Sequence, residues 1–155
     1  MNEQTGNQVG EQATNFTLEG ADGQPWELSE QKGKTVVLLF YPGDNTPVCT
    51  KQLCSVRDNW ADYQASGAEV VGISTDSAGS HQQFAAKNHL PLKLLSDSNG
   101  EVTRIFGVKS WLPNRAARAV VVIDKNGVIR HRKVQALSIT RPKDDEILEI
   151  IKNIK

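Results

Sequence analysis

Charge of one sign is what this sequence most plainly lacks. Lys and Arg together number 18, Asp and Glu also 18, and the formal net charge is zero. A chain without basic excess has no electrostatic footprint for nucleic acid and no pull toward an anionic membrane surface, so neither partner is expected. Long apolar runs are missing too. Val36–Tyr41 and Ala119–Ile123 are the longest strongly apolar ones, far short of the ~18 residues of a membrane helix. There are only two cysteines, too few for a disulfide scaffold. The N-terminal Met1-Asn2-Glu3-Gln4-Thr5-Gly6-Asn7 has no basic start and no apolar stretch, unlike a secretory signal. A cytoplasmic chain is the expectation, with a precursor trimmed ahead of this sequence as the alternative. No Gly-rich phosphate loop, Gly-x-Ser-x-Gly elbow or His-Glu-x-x-His occurs.

What is present suits one domain over 1–155. A chain of 155 residues buries roughly 68–70% of its unfolded surface without a metal or disulfide staple. A hydrophobic fraction of 38% with balanced charge excludes disorder. Residues 1–12 are polar, and mobility is expected there, above all over 1–8. Thr35–Tyr41 reads as a buried strand ended by Pro42-Gly43-Asp44-Asn45. Thr46-Pro47 reads as an N-cap with proline at the first helical position. The helix behind it carries Leu53, Val56, Trp60 and Tyr63 on one face, with Gly67 to end it. Glu69–Thr75 is a second strand, His81–Asn88 a helix, Leu92–Leu95 a short strand and Gly100–Phe106 a helical segment. Ala119–Asp124 and Val128–Val134 form a hairpin about Lys125-Asn126-Gly127. Pro142 opens a last helix with Ile147, Leu148, Ile150, Ile151 and Ile154 on its apolar side. The alternation predicts an α/β fold with a central mixed β-sheet flanked by helices, in which ligands gather beyond the carboxyl ends of strands.

Cys49 lies just there, in the first turn of the helix that Thr46 caps. Unsatisfied N–H groups and the positive end of the helix dipole stabilise a thiolate at that position. The dipole alone falls short. A free cysteine is only a few per cent thiolate at pH 7, and a shift of ~2 pH units needs about 2.7 kcal/mol. A helix N-terminus supplies ~0.3–1 kcal/mol, and at most ~2. A reactive Cys49 therefore requires a cation brought in by the fold. Arg57, Arg104, Arg115 and Arg118 are the candidates, and spacing does not choose among them.

Blander readings compete. Cysteine is also a small core side chain, and Cys49 and Cys54 fit that role when taken alone. A zinc site would need two further ligands, and His81, His89 and His131 do not fall at ligand spacing, so no metal is expected. His81 reads as a surface or capping residue, and Trp26, Trp60 and Trp111 as packing residues.

Pro42-Gly43-Asp44-Asn45-Thr46-Pro47-Val48-Cys49 resembles the peroxiredoxin active-site pattern Pro-x-x-x-Thr-x-x-Cys. Cys54, five residues on, resembles the bacterioferritin-comigratory or Q-type branch, of the atypical two-cysteine kind. The similarity continues through Arg57-Asp58, Asp76-Ser77, Ser80-His81-x-x-Phe84, Leu94-Leu95-Ser96-Asp97 and Arg118 ahead of Val122-Ile123-Asp124-Lys125-Asn126-Gly127. It covers residues 9–155. The resemblance implies a thioredoxin-like fold and thiol-dependent reduction of hydrogen peroxide and organic hydroperoxides. It makes Cys49 the peroxidatic cysteine and Cys54 the resolving one. Thr46 becomes a hydrogen-bond donor to peroxide and thiolate, Pro42 a shield of the pocket, and Arg118 the activating cation.

The sequence departs from the pattern at Gln52, where Glu is usual, at Ser55 in place of Gly, and at Ala13-Thr14-Asn15-Phe16-Thr17-Leu18, where Pro usually follows Ala. The implied partners are a peroxide and a thioredoxin or similar dithiol protein, with no metal, haem or flavin cofactor, and a monomer or weak homodimer. A disulfide oxidoreductase of thioredoxin type uses Cys-x-x-Cys, which the four residues between these cysteines disfavour. A non-enzymatic redox sensor is the other rival. Trp111-Leu112-Pro113 is placed at the pocket, at an interface or on the core.

Overall fold

Five consecutive apolar residues, Val36–Phe40, are all buried. Such a run needs covering on both faces, and the chain supplies it. The computed structural model describes residues 7–110, 114–135 and 144–154. In chain order these form β1 (Thr17–Gly20), β2 (Pro25–Glu27), a 3-10 turn (Leu28–Gln31), β3 (Val36–Phe40), α1 (Pro47–Asp58) and α2 (Trp60–Ala65). Then come β4 (Glu69–Ser74), α3 (Ala78–Asn88), β5 (Lys93–Ser96), α4 (Glu101–Ile105), β6 (Ala119–Ile123), β7 (Ile129–Val134) and α5 (Asp144–Asn153). The strands make one mixed sheet in the order β2-β1-β5-β4-β3-β6-β7. β3, β4 and β5 run parallel, and the outer pairings are antiparallel.

Successive strand residues point to opposite faces, so the sheet divides two cores. Val36, Leu38 and Phe40 pack with Phe16, Trp26, Leu28, Val102, Phe106 and Ile129. Val37, Leu39 and Tyr41 pack with Cys49, Leu53, Val56, Tyr63, Phe84, Ile147 and Ile151. The second core therefore carries α1, α3 and α5, and seats Cys49 against the sheet. Gly72 on β4 permits this closeness: a Cβ there would meet Leu94 Cδ2 at 2.9 Å and Tyr41 Cε1 at 3.3 Å.

The predicted α/β class and the central mixed sheet are observed, with four differences. The hairpin of β1 and β2 has no clear alternation to announce it; only Trp26 and Gly20 are fully buried along it. The single helix expected from Pro47 to Gly67 is two, broken at Asn59, whose φ of −109° and ψ of 18° depart from helical values. Residues 7–12, where mobility is expected, make contacts with the fold. Asn7 is buried and Gly10 N–H donates to Ile129 O at 2.7 Å, because the chain borders β7 there. His81 is not a surface residue but is fully buried on α3. The expected mobility of residues 1–6, the helix start at Pro142 and the placement of Trp111-Leu112-Pro113 lie outside the described residues.

Candidate active site

β3 ends at Phe40, and residues 41–46 carry the chain over the sheet's carboxyl edge into α1. Thr46 is the N-cap of α1 in extended conformation, with Pro47 at the first helical position, as expected. Its side chain does not cap the helix; Thr46 Oγ1 donates to Gly43 O at 3.2 Å. Pro42 is half-buried, and its carbonyl accepts from Arg115 Nη1 at 3.0 Å. Gly43 leaves room for this: a Cβ there would lie 2.7 Å from Arg115 Nη1.

Cys49 follows in the first turn with no exposed surface. Arg118 settles the question that spacing left open. It sits just before β6, beside β3 in the sheet, and is 1% exposed. Its Nη2 donates to Cys49 Sγ at 3.1 Å and its Nη1 to Gln52 Oε1 at 2.6 Å. Of the other candidates, Arg115 holds the Pro42 carbonyl, Arg104 binds Asn99 O and Arg57 binds Asn88 O. Gln52, one helical turn past Cys49, thus turns its amide oxygen to the guanidinium. Its Nε2 is the cost, buried without a hydrogen-bond partner among the described residues. The charge-assisted bond at the other end of the amide offsets this.

Cys54 is half-buried on the same helix, Sγ 3.8 Å from Asn88 Oδ1 of α3. Both thiols are free. Five residues of α-helix rise ~7.5 Å and turn the two side chains about 140° apart. A disulfide needs Cβ atoms near 3.8 Å, so α1 must unwind before the sulfurs can join.

The sequence reasoning missed the brace that holds this loop. Asp44 lies in it with its side chain 1% exposed, and His81 Nδ1 is 2.8 Å from Asp44 Oδ2. The other ring nitrogen faces Leu95 O at 2.9 Å. Both ring nitrogens are thus engaged. Tyr41 O–H donates to Asp44 Oδ1 at 2.7 Å and Ser80 O–H to Oδ2 at 2.8 Å. Burial alone would raise the Asp44 carboxyl; the hydrogen bonds from His81, Tyr41 and Ser80 and the His81 charge outweigh it and hold it below the usual range. Burial and Asp44 together push the Tyr41 hydroxyl well up, keeping it a neutral donor. Asp44 N–H in turn donates to Asp76 Oδ2 at 2.7 Å. Asp44, Asp76 and His81 bring three possible metal-ligand atoms within 4.8 Å of one another. Each is already engaged in these bonds, and the group braces the loop. The signal for it was the Ser80-His81 pair, noted in the sequence but without a partner to give it meaning.

A buried cysteine at a helix start, beside a buried guanidinium and behind a Pro-x-x-x-Thr loop, is the geometry that the sequence pattern implied. The sequence model of the AhpC/TSA family matches residues 9–132. Among solved structures, the crystal structure of peroxidoxin BcpB from Mycobacterium tuberculosis superposes with a TM-score of 0.86 at 32% identity, covering 95% of this chain and 97% of that one. The chain belongs to the AhpC/TSA family and is a peroxiredoxin. Enterococcus faecalis AhpC superposes with a TM-score of 0.87 at 22% identity and shares the fold, the thioredoxin-like arrangement expected. The relatives of this peroxiredoxin include chloroplastic peroxiredoxin Q from Triticum aestivum, 50% identical over 118 residues, and from Sedum lineare, 50% identical over 116. The matches take in 76% and 74% of this chain but 54% and 62% of those proteins, so the chain spans little more than half their length.

Proposed function

We propose that this peroxiredoxin is a thiol-dependent peroxidase that reduces hydrogen peroxide and organic hydroperoxides, with Cys49 as the peroxidatic residue. The observation that carries the reading is the Arg118 guanidinium 3.1 Å from the buried sulfur of Cys49. It supplies the cation that the helix dipole needs beside it. The thiolate attacks one peroxide oxygen, the O–O bond breaks, and hydroxide or alkoxide leaves. Cys49 is then a sulfenic acid. Arg118 and the N–H groups of the first turn of α1 face the charge that develops on the oxygens. Thr46 turns its hydroxyl from Gly43 O to the peroxide, and Pro42 shields the pocket. Cys54 is the resolving residue: its sulfur displaces the sulfenic oxygen as water and forms the Cys49–Cys54 disulfide. A thioredoxin or similar dithiol protein reopens the bond by exchange. The working compartment is one that keeps such a dithiol reduced. The cytoplasm expected from the sequence and, by analogy with the chloroplastic relatives, an organelle both meet that condition.

The test is peroxide consumption in the presence of thioredoxin, its reductase and NADPH. Sustained turnover is the expected result. Insulin reduction without peroxide turnover would make the chain a disulfide oxidoreductase. A single oxidation that is never recycled would make it a sensor.

A further inference from the structure

Cys54 rests against the C-terminal end of α3. The Cys54 thiol donates to Asn88 Oδ1 at 3.8 Å. Arg57 follows three residues later, on the same face of α1, and its Nη1 donates to the carbonyl of that same Asn88 at 2.6 Å. The α3 terminus is shaped to accept both. The helix ends at Asn88, with His89 in the left-handed region at φ 52°. Carbonyls of a last turn lack intrahelical partners and form the negative end of the dipole, so Asn88 O suits a guanidinium. Asn88 Nδ2 donates to Phe84 O at 3.1 Å, which fixes the amide with its oxygen toward the sulfur. Arg57 Nε is held in turn by Asp58 Oδ1 at 3.0 Å.

We propose that Arg57 is a positioning residue for the resolving step, forming with Asn88 a latch that keeps Cys54 against α3 and whose opening sets the rate of disulfide formation. The inference rests on the reading of Cys49 and Cys54 as the paired thiols. In that step the Cys54 sulfur attacks Sγ of the Cys49 sulfenic acid. The S–S bond forms, the S–O bond breaks, and the hydroxyl leaves as water with the Cys54 proton. Arg57 touches neither peroxide nor the Cys49 sulfur; it acts through where Cys54 is held. A sulfenic acid that waits for the latch is exposed to a second peroxide, which oxidises it to sulfinic acid. The latch therefore governs how the enzyme partitions between recycling and inactivation. A guanidinium that assisted the attack of Cys54 would have the opposite sign on removal.

The experiment uses the full chain and hydrogen peroxide. Rapid mixing follows Cys49 oxidation, and acid quench with mass analysis follows the intramolecular disulfide. Arg57→Ala is expected to leave the first step unchanged and to speed disulfide formation about threefold or more, with less sulfinic acid at excess peroxide. Arg57→Lys should fall between. Asn88→Ala, which keeps the backbone carbonyl for Arg57, should act in the same direction but less, and it carries the test if Arg57→Ala does not fold. A disulfide rate that is unchanged or slower in Arg57→Ala overturns the latch and leaves the peroxidase reading intact. An unmodified chain that reduces peroxide without forming a Cys49–Cys54 bond overturns the latch and the pairing of the two thiols, and leaves Cys49 as the peroxidatic residue.

Discussion

Cys49 and Cys54 are the same side chain five residues apart, and their surroundings make them different reagents. Cys49 is fully buried at the helix start with a guanidinium on its sulfur. Cys54 is half-buried a turn and more deeper, facing an amide oxygen. Cys49→Ser should abolish peroxide reduction. Cys54→Ser should retain one fast oxidation and then depend on an added thiol; single-turnover kinetics of the two variants would show if the roles are reversed. Arg118→Ala should slow peroxide reduction at neutral pH by roughly a hundredfold, as removal of one preorganised donor does. Arg115→Ala, which frees the Pro42 carbonyl and breaks the ion pair with Asp76, should do less. Peroxide titrations in which Arg115→Ala alone causes the loss would move the role to Arg115. The two cysteines and Thr46 were legible from local spacing, whereas spacing left Arg118 one of four arginines; the resemblance singled it out, and the sheet brings it beside β3. Asp44 and Asn88 could not be found in advance, since each acts through a residue more than thirty positions away.

At the level of elements, the proposed pairing of Cys49 with Cys54 requires α1 to change shape. Its first turns would open for each disulfide, and helix termini lie at the low end of local stability. The other end is pinned. Asp144 in the first turn of α5 accepts from Ser55 Oγ, from Asn59 Nδ2 at 3.3 Å and from Tyr63 O–H at 2.6 Å. Burial and Asp144 raise the Tyr63 hydroxyl, so it stays a donor. The break at Asn59 thus sits on an anchor, and α2 is insulated from the unwinding of α1. Amide exchange should show the oxidised form losing protection from about Cys49 to Arg57, with β3, β4 and β6 unchanged. Equal protection in both forms, with the intramolecular disulfide confirmed by mass, would contradict an unwinding helix. Asp144→Ala should cost about 1–3 kcal/mol by stranding the partly buried Tyr63 hydroxyl, read as a lower urea midpoint. A midpoint within error of the unmodified chain would remove the anchor from this account. The helical face of Leu53, Val56 and Tyr63 was legible from its spacing, but the break was not. The Asn59 amide donates both to Ser55 O at 2.9 Å and to Asp144 of α5, and the second of these partners lies far along the chain.

Across the whole molecule, the buried Asp44–His81 pair ties the loop before Cys49 to α3 and, through Leu95 O, to β5. Asp44 is held below its ordinary carboxyl value in the folded chain. Its contribution to stability is therefore present at neutral pH, above the unfolded-state value, and is lost as pH falls through the folded-state value. Asp44→Asn should destabilise the protein by about 3 kcal/mol at pH 7, since it breaks a buried pair. The gap should close in acid, as Asp44 of the unmodified chain takes up its own proton. Urea unfolding of both forms from neutral pH into the acid range would check this. A gap that stays constant with pH would mean that the carboxylate charge contributes nothing.

The sequence by itself determined the α/β class, the positions of most strands and helices, the two thiols, and the loop and cap that set Cys49 in a first turn. These are local properties: apolar runs, helical spacing, and the backbone preferences of Pro and Thr act within a few residues. The tertiary structure answered what spacing left open, which arginine meets Cys49, and it alone decided that His81 is a buried partner of Asp44, where α1 stops, and what Cys54 leans on. Each of these joins residues far apart in the chain. Their contact depends on sheet order and on which face of the sheet each helix covers, and neither is written in the spacing of any one segment.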